Sequence, residues 1–310
     1  MSRIFEAIQR ADFERNAAQE SDVRQAADAF NLPDVEEPQQ AEPDVDLEKI
    51  VQHPWKPVLA SLPTLSDRGA AVEQFRSLRS HISQLRFETP LKTILISSGI
   101  PGEGKSFVAA NLALSMARNS VKNILLIDGD LRRGTLHSLL GAPNAPGLTD
   151  YLAGSASLMS VMQRSLMPEP AKPGLGQGIS NITFIPAGVC GDSSSEFVSN
   201  HRMETLIATL SPYFDWIVID SPPVLAVTDA VELARAADAV LLVARSANTP
   251  FETAQRAQAA FGNSRILGFV LNAVKKAPRN GSYSYYYGRE EGDSANMQRT
   301  GKRGQDDQAL

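Results

Sequence analysis

A single cysteine, Cys190, stands among 310 residues, so no intrachain disulfide can form and nothing asks for an oxidising compartment. The four histidines, His53, His81, His137 and His201, are scattered and join no cysteine cluster, which argues against a zinc site. No apolar run approaches the roughly 18–20 residues that span a bilayer. The opening stretch "MSRIFEAIQRADFER" is too charged for a secretory leader, and the expectation is a cytosolic chain. A basic surface is missing as well. Residues 1–60 carry 13 acidic and 6 basic side chains and the remainder 22 and 24, which places the whole net charge of −5 in the leading segment. Duplex nucleic acid is therefore not an expected partner.

What is present is enough apolar residue, 43%, for a sizeable core. Ile4, Phe5, Ile8 and Ala11 predict a short amphipathic helix within residues 1–30. Six prolines within 31–66, set in "LPDVEEPQQAEPDVDLE" and its surroundings, predict an acidic linker. A folded body is expected over 67–276 and a disordered tail over 277–310. The body opens with a helical stripe of Val72, Phe75, Leu78, Ile82 and Leu85. Six apolar runs follow, "KTILIS", "NILLID", "NITFIP", "DWIVID", "DAVLLVA" and "ILGFVLN", with helical stretches between most of them. Apolar strands without alternation, separated by helices, predict an α/β fold with a mostly parallel sheet covered on both faces. "AKPGLGQGIS", 171–180, reads as a loop insertion.

Between the first run and the next helix lies "GIPGEGKS". Gly99-x-x-x-x-Gly104-Lys105-Ser106 has the spacing of a phosphate-binding loop, which makes the expected fold a P-loop NTPase three-layer sandwich. Glycines let successive N–H groups face phosphate oxygens, and the following helix adds its N-terminal dipole. Gly99, Pro101, Gly102, Glu103, Gly104, Lys105, Ser106 and Phe107 are the candidate nucleotide contacts, with Lys105 reaching the β- and γ-phosphates and Ser106 ligating Mg²⁺. "LLIDGDLRR" closes a second strand with Asp128, Asp130 and Arg132, where ligands gather in open parallel sheets; the alternative is a polar turn. "IVIDSPP" ends a third strand with Asp220, a metal-holding position or else a helix cap. Asn272, closing "GFVLN", is a candidate for the adenine edge or a turn residue. "SYSYYYG" groups Tyr283, Tyr285, Tyr286 and Tyr287, four of six tyrosines in the chain, either as phosphoacceptors or as a sticky aromatic tail.

With these motifs in order over residues 70–288, the sequence resembles the bacterial tyrosine kinases, the autokinases of exopolysaccharide and capsule synthesis. In that family's terms "GIPGEGKS" is the Walker A motif, "LLIDGDLR" the Walker A′ motif and "IVIDSPP" the Walker B motif. "EQFRSLR" is similar to its oligomerisation motif, here Glu73, Arg76 and Arg79; the alternative is a solvated helix face with an intrahelical ion pair. Phe107 stands where the family commonly has threonine, and "CGDSSSEFVSN" is a diverged version of a proline-bearing loop.

The resemblance implies ATP and Mg²⁺ as cofactors, with Lys105, Asp128, Asp130 and Asp220 catalytic and Ser106, Asp128, Asp130 and Asp220 around the metal. Asp128 is the expected proton acceptor, although the residues themselves leave base and ligand open between Asp128 and Asp130. It further implies a homo-oligomeric ring in which each tail enters the next subunit. The implied partner is a membrane polysaccharide chain-length regulator, a separate protein that recruits the kinase to the inner face of the membrane. Two other functions compete. A partitioning or septum-positioning ATPase carries a lysine as the second loop residue, where this chain has Ile100. The other is a nucleotide-binding scaffold without transfer.

Overall fold

The computed structural model describes residues 45–118, 122–166, 179–189 and 202–274. The chain divides into Met1–Asp46, described only at its last two residues, and a body, Leu47–Leu310. Eight strands form one sheet in the body: β1 Val51–His53, β2 Thr93–Ser98, β3 Ile124–Asp128, β4 Gln163–Ser165, β5 Ile182–Ile185, β6 Trp216–Asp220, β7 Ala239–Arg245 and β8 Ile266–Asn272. Their order is β1-β4-β5-β3-β6-β2-β7-β8. Every pairing is parallel except β4 with β5. The described helices are α1 Ala70–Glu88, α2 Lys105–Ala117, α3 Leu136–Leu140, α4 Leu148–Leu152, α5 Leu158–Val161, α6 Arg202–Leu210, α7 Asp229–Arg235 and α8 Phe251–Ala260.

All six apolar runs are strands. Every residue of β2, β3, β5 and β6 is buried, as expected of β-branched segments in a sheet covered on both faces. Helix α2 is buried continuously from Val108 to Ala117 because it is sandwiched between the sheet and α1. The predicted stripe of α1 buries Val72, Phe75 and Ile82, and Leu78 and Leu85 pack partly against the same core.

The linker expected over 31–66 does not extend to 66. Strand β1 and two 3₁₀ turns, Leu59–Ser61 and Pro63–Leu65, lie within it, and Trp55, Leu62 and Leu65 are core residues. Trp55 meets the ring of Phe184 edge-on at 6.0 Å and donates its indole N–H to Gln163 Oε1 at 3.2 Å. Proline density suggested no regular structure. A three-residue edge strand, however, fits between Ile50 and Pro54, where no ladder N–H is lost to proline. Strand β4, "QRS", escaped notice because it is short and polar; it joins β1 to the sheet. Most of the expected 171–180 loop lies outside the described residues.

One buried polar side chain ties this leading stretch to the core. Asn111 on α2 is fully buried; its Oδ1 accepts from the Thr64 hydroxyl at 2.8 Å, and its Nδ2 donates to the carbonyls of Ser61 and Phe107 at 3.0 and 2.9 Å. Replacing it with alanine leaves buried groups unpaired and opens a small void. We expect Asn111→Ala to cost about 2–4 kcal/mol in urea unfolding.

Candidate active site

The sheet order brings β3, β6 and β2 side by side at its centre, with Asp128 opposite Asp220 and Asp220 opposite Ile96. Residues that leave the carboxyl ends of these three strands therefore meet at one level. The loop after β2 curls through Gly102 and Gly104, whose φ angles of 82° and 94° are strained for any residue with a Cβ. It feeds α2, whose first turn has no capping side chain among the described residues. Helix N–H groups are thus left for an anion, and the dipole points the same way.

Lys105, at the start of α2, pairs with Asp130 at 3.1 Å; both side chains are largely buried, at 14% and 5% exposure. Asp130 also accepts the Arg133 N–H, and Arg132 pairs with the buried Asp229 at 2.9 Å. Lys105, Asp130, Arg132 and Arg133 open onto a cleft of about 490 Å³ walled by Pro101 and Gly102 on the loop side and Pro222, Pro223 and Val227 on the other.

Asp128 and Asp220 end β3 and β6, both with no exposed surface. Asp128 Oδ2 accepts the Leu136 N–H at 3.0 Å. Among the described residues, Asp128 Oδ1 and both oxygens of Asp220 have no donor in hydrogen-bond geometry. Burial pushes the Asp128 carboxyl well above its ordinary range; the Asp220 charge adds to this, and the Leu136 N–H opposes it. Burial likewise pushes Asp220 up to about 7, against the pull of the Lys105 ammonium and the nearby Ser106 hydroxyl. Orphaned, buried carboxylate oxygens beside a serine hydroxyl form a donor set for a hard divalent cation. No group of three or more histidine, cysteine or carboxylate ligands is assembled among the described residues. Mg²⁺ needs only one or two carboxylates when phosphates and waters complete its shell, so the residues fit it.

A family model described as an AAA domain matches residues 91–256. Over 216 residues the chain is 33% identical to the tyrosine-protein kinase YwqD of Bacillus subtilis, covering 69% of this chain and 85% of that one. The chain belongs to the bacterial tyrosine-protein kinase family. It is also 34% identical over 227 residues, 72% of its length, to the tyrosine-protein kinase wzc of Salmonella typhimurium, of which it spans only 30%. Among solved structures, the kinase domain of the Escherichia coli tyrosine kinase ETK superposes with a TM-score of 0.60 at 32% identity, covering 78% of this chain and 89% of that one.

Within this family member, the expected site residues fall into four groups. The loop, Lys105, Ser106, Asp128, Asp130 and Asp220 lie together where β2, β3 and β6 end. Three others have structural tasks beside or instead of those expected. The Glu103 carboxylate accepts the Ile100 N–H at 2.9 Å and the Thr249 hydroxyl. Asn272, expected at the adenine edge, donates from Nδ2 to the Glu103 carbonyl at 2.9 Å and accepts the Ala273 N–H at Oδ1; it braces the loop. Phe107 packs its ring on Phe75 of α1 at 5.9 Å.

In the expected oligomerisation motif, Glu73 and Arg76 form an exposed pair at 2.6 Å within the helix. Arg79 donates to the Ser115 carbonyl at 2.5 Å, and its pKa is lowered by burial and by the neighbouring Arg76 and Arg118. Tyr283, Tyr285, Tyr286 and Tyr287, and the "CGDSSSEFVSN" loop, lie outside the described residues. Sequence reasoning missed Thr249, Arg245 and Asp229. Each belongs to no motif, and its contact with the site is to a residue far away in the chain.

Proposed function

We propose that the chain is an ATP-dependent protein-tyrosine autokinase that phosphorylates its own Tyr283–Tyr287 cluster, in trans within a homo-oligomer. The observation that carries this is the Lys105–Asp130 pair set beside two buried carboxylates with unpartnered oxygens, under a loop that leads into an uncapped helix. Such a site holds polyphosphate and a cation at one end and leaves an open cleft at the other. Ser106 and Asp220, with Asp130 close by, would hold Mg²⁺, which would supply charge neutralisation at the phosphates. Lys105 moves its ammonium from Asp130 to the γ-phosphate. The phenol, with a pKa near 10, enters from the cleft and gives its proton to the unpartnered Oδ1 of Asp128.

By family analogy the kinase works at the inner face of the membrane with a polysaccharide chain-length regulator as a separate protein, and Glu73, Arg76 and Arg79 contribute to the subunit contact. A mixing experiment tests transfer in trans. A Lys105→Met chain with intact tyrosines is incubated with Mg²⁺-ATP and a chain in which Tyr283, Tyr285, Tyr286 and Tyr287 are all phenylalanine. The expected result is phosphotyrosine on the Lys105→Met chain in the mixture and on neither chain alone. Label on neither chain in the mixture contradicts transfer between subunits.

A further inference from the structure

Residues from three places hold the phosphate-binding loop from behind, and the proposed transfer uses none of their contacts. Arg245 Nη1 donates to the Gly102 carbonyl at 3.1 Å, and Asn272 Nδ2 donates to the Glu103 carbonyl at 2.9 Å. The Thr249 hydroxyl donates to Glu103 Oε1, while Glu103 Oε2 accepts the Ile100 N–H at 2.9 Å. Glu103 is a charged residue only 1% exposed, and these contacts account for its burial.

The geometry has a direct consequence for the loop. In a trans peptide the C=O and the following N–H point to opposite sides. Arg245 and Asn272 are not among the residues that wall the cleft, so the carbonyls of Gly102 and Glu103 that they hold leave the N–H groups of Glu103 and Gly104 on the opposite side of each peptide, free to face it. We propose that Arg245, Thr249 and Asn272 are positioning residues, a clamp that sets the curl of the phosphate-binding loop through Glu103. This rests on the reading that the loop receives the phosphates of a nucleotide.

The clamp is one unit. Strand β8 pairs with β7 so that Arg245 lies opposite Asn272, and the Asn272 carbonyl accepts the Ser246 N–H at 2.9 Å. Thr249 Oγ1 accepts the Arg245 N–H at 2.9 Å, which aims its own proton at Glu103. Ala247 and Ala273, at φ of 57° and 55°, are the two non-glycine residues with positive φ among the described residues. Both adjoin the clamp, and strained backbone persists where its surroundings over-determine it. The loop also fits tightly here: a Cβ on Gly104 would come within 2.0 Å of Asn272 Nδ2.

The test uses the full chain and two readouts: amide hydrogen exchange over residues 99–106 without nucleotide, and Mg²⁺-ATP binding by calorimetry with steady-state kinetics. Thr249→Val and Asn272→Ala should each speed loop exchange and weaken Mg²⁺-ATP binding by about 5–50-fold. KM for ATP should rise alike, kcat should stay within about twofold, and exchange in β3 and β6 should not change. Thr249→Ser, which keeps the hydroxyl, should restore both readouts. Wild-type loop exchange together with wild-type affinity in both disruptive variants overturns the clamp. If the wild-type chain itself binds no Mg²⁺-ATP, the nucleotide reading fails, and loop exchange alone then decides the clamp.

Discussion

Lys105→Met is expected to lower tyrosine phosphorylation by on the order of 10³-fold or more while the chain stays folded. In phosphoryl transfer the protein contributes mainly position and charge, so loss of a preorganised cation is felt almost wholly in the transition state. The lysine opens α2, within reach of both Asp130 and the loop, and its ammonium is 3.1 Å from Asp130. Methionine keeps the length and apolar character of the stem and removes only the charge. The Arg133 N–H still bonds Asp130, which limits the cost of leaving that carboxylate without its cation. Lys105→Arg should not rescue, because a planar fork cannot replace a compact ammonium in a largely buried position. Initial rates of phosphotyrosine formation at saturating Mg²⁺-ATP give the comparison. A variant within tenfold of wild type would remove Lys105 from the transfer step.

The second large effect concerns stability. With EDTA and no nucleotide, Asp220→Asn should raise the melting temperature at pH 8 by roughly 5–15 °C while abolishing Mg²⁺-dependent phosphorylation. The sign follows from linkage. Asp220 has a folded pKa of about 7, against about 3.9 in the unfolded chain. Between those values the folded state binds the extra proton, so stability falls as pH rises from about 4 to about 7 and the full penalty remains above that. A shift of this size is worth on the order of a few kcal/mol, and each kcal/mol moves Tm by roughly 2–4 °C in a domain of this length. Asparagine carries no charge to bury, so its melting curve should depend less on pH over that window. Equal melting temperatures for the two proteins at pH 8, with the same pH slope, would show that Asp220 is not held against its burial. A buried carboxylate held against its desolvation, with a lysine and a serine hydroxyl beside it, marks a candidate binding site.

Much of the architecture was legible because strand and helix segregate cleanly in this chain. Runs such as "NILLID" and "DWIVID" carry β-branched residues without alternation, and burial on both faces leaves them no other place. The positions of the candidate carboxylates were legible for the same reason, since an aspartate that ends such a run must emerge at the carboxyl edge of the sheet. Strands β1 and β4 were not, because each has three residues and depends on its neighbours rather than on its own pattern. Asn272 was located correctly at a strand end, and the structure gives it a contact with the loop that its position in the sequence did not announce. Its partner, the Glu103 carbonyl, is 169 positions away, a distance over which local patterning is silent. The same holds for Arg79, whose half-buried bond to Ser115 cannot be inferred from a charged helix face. Trp55, Leu62 and Leu65 show the opposite error, where proline density obscured apolar residues that were in plain view.

The central claim is that the phosphate is handed to the chain's own tyrosines. Intact-mass spectrometry of phosphatase-treated full-length protein, before and after incubation with Mg²⁺-ATP, tests it most directly, with Lys105→Met and the fourfold Tyr283, Tyr285, Tyr286 and Tyr287→Phe chain alongside. The account predicts gains of whole phosphates in the wild type, mapped by fragmentation to those four tyrosines and lost in both variants. Mass gain that survives in the fourfold variant at the wild-type level, or none in a wild type that binds and hydrolyses ATP, would contradict it.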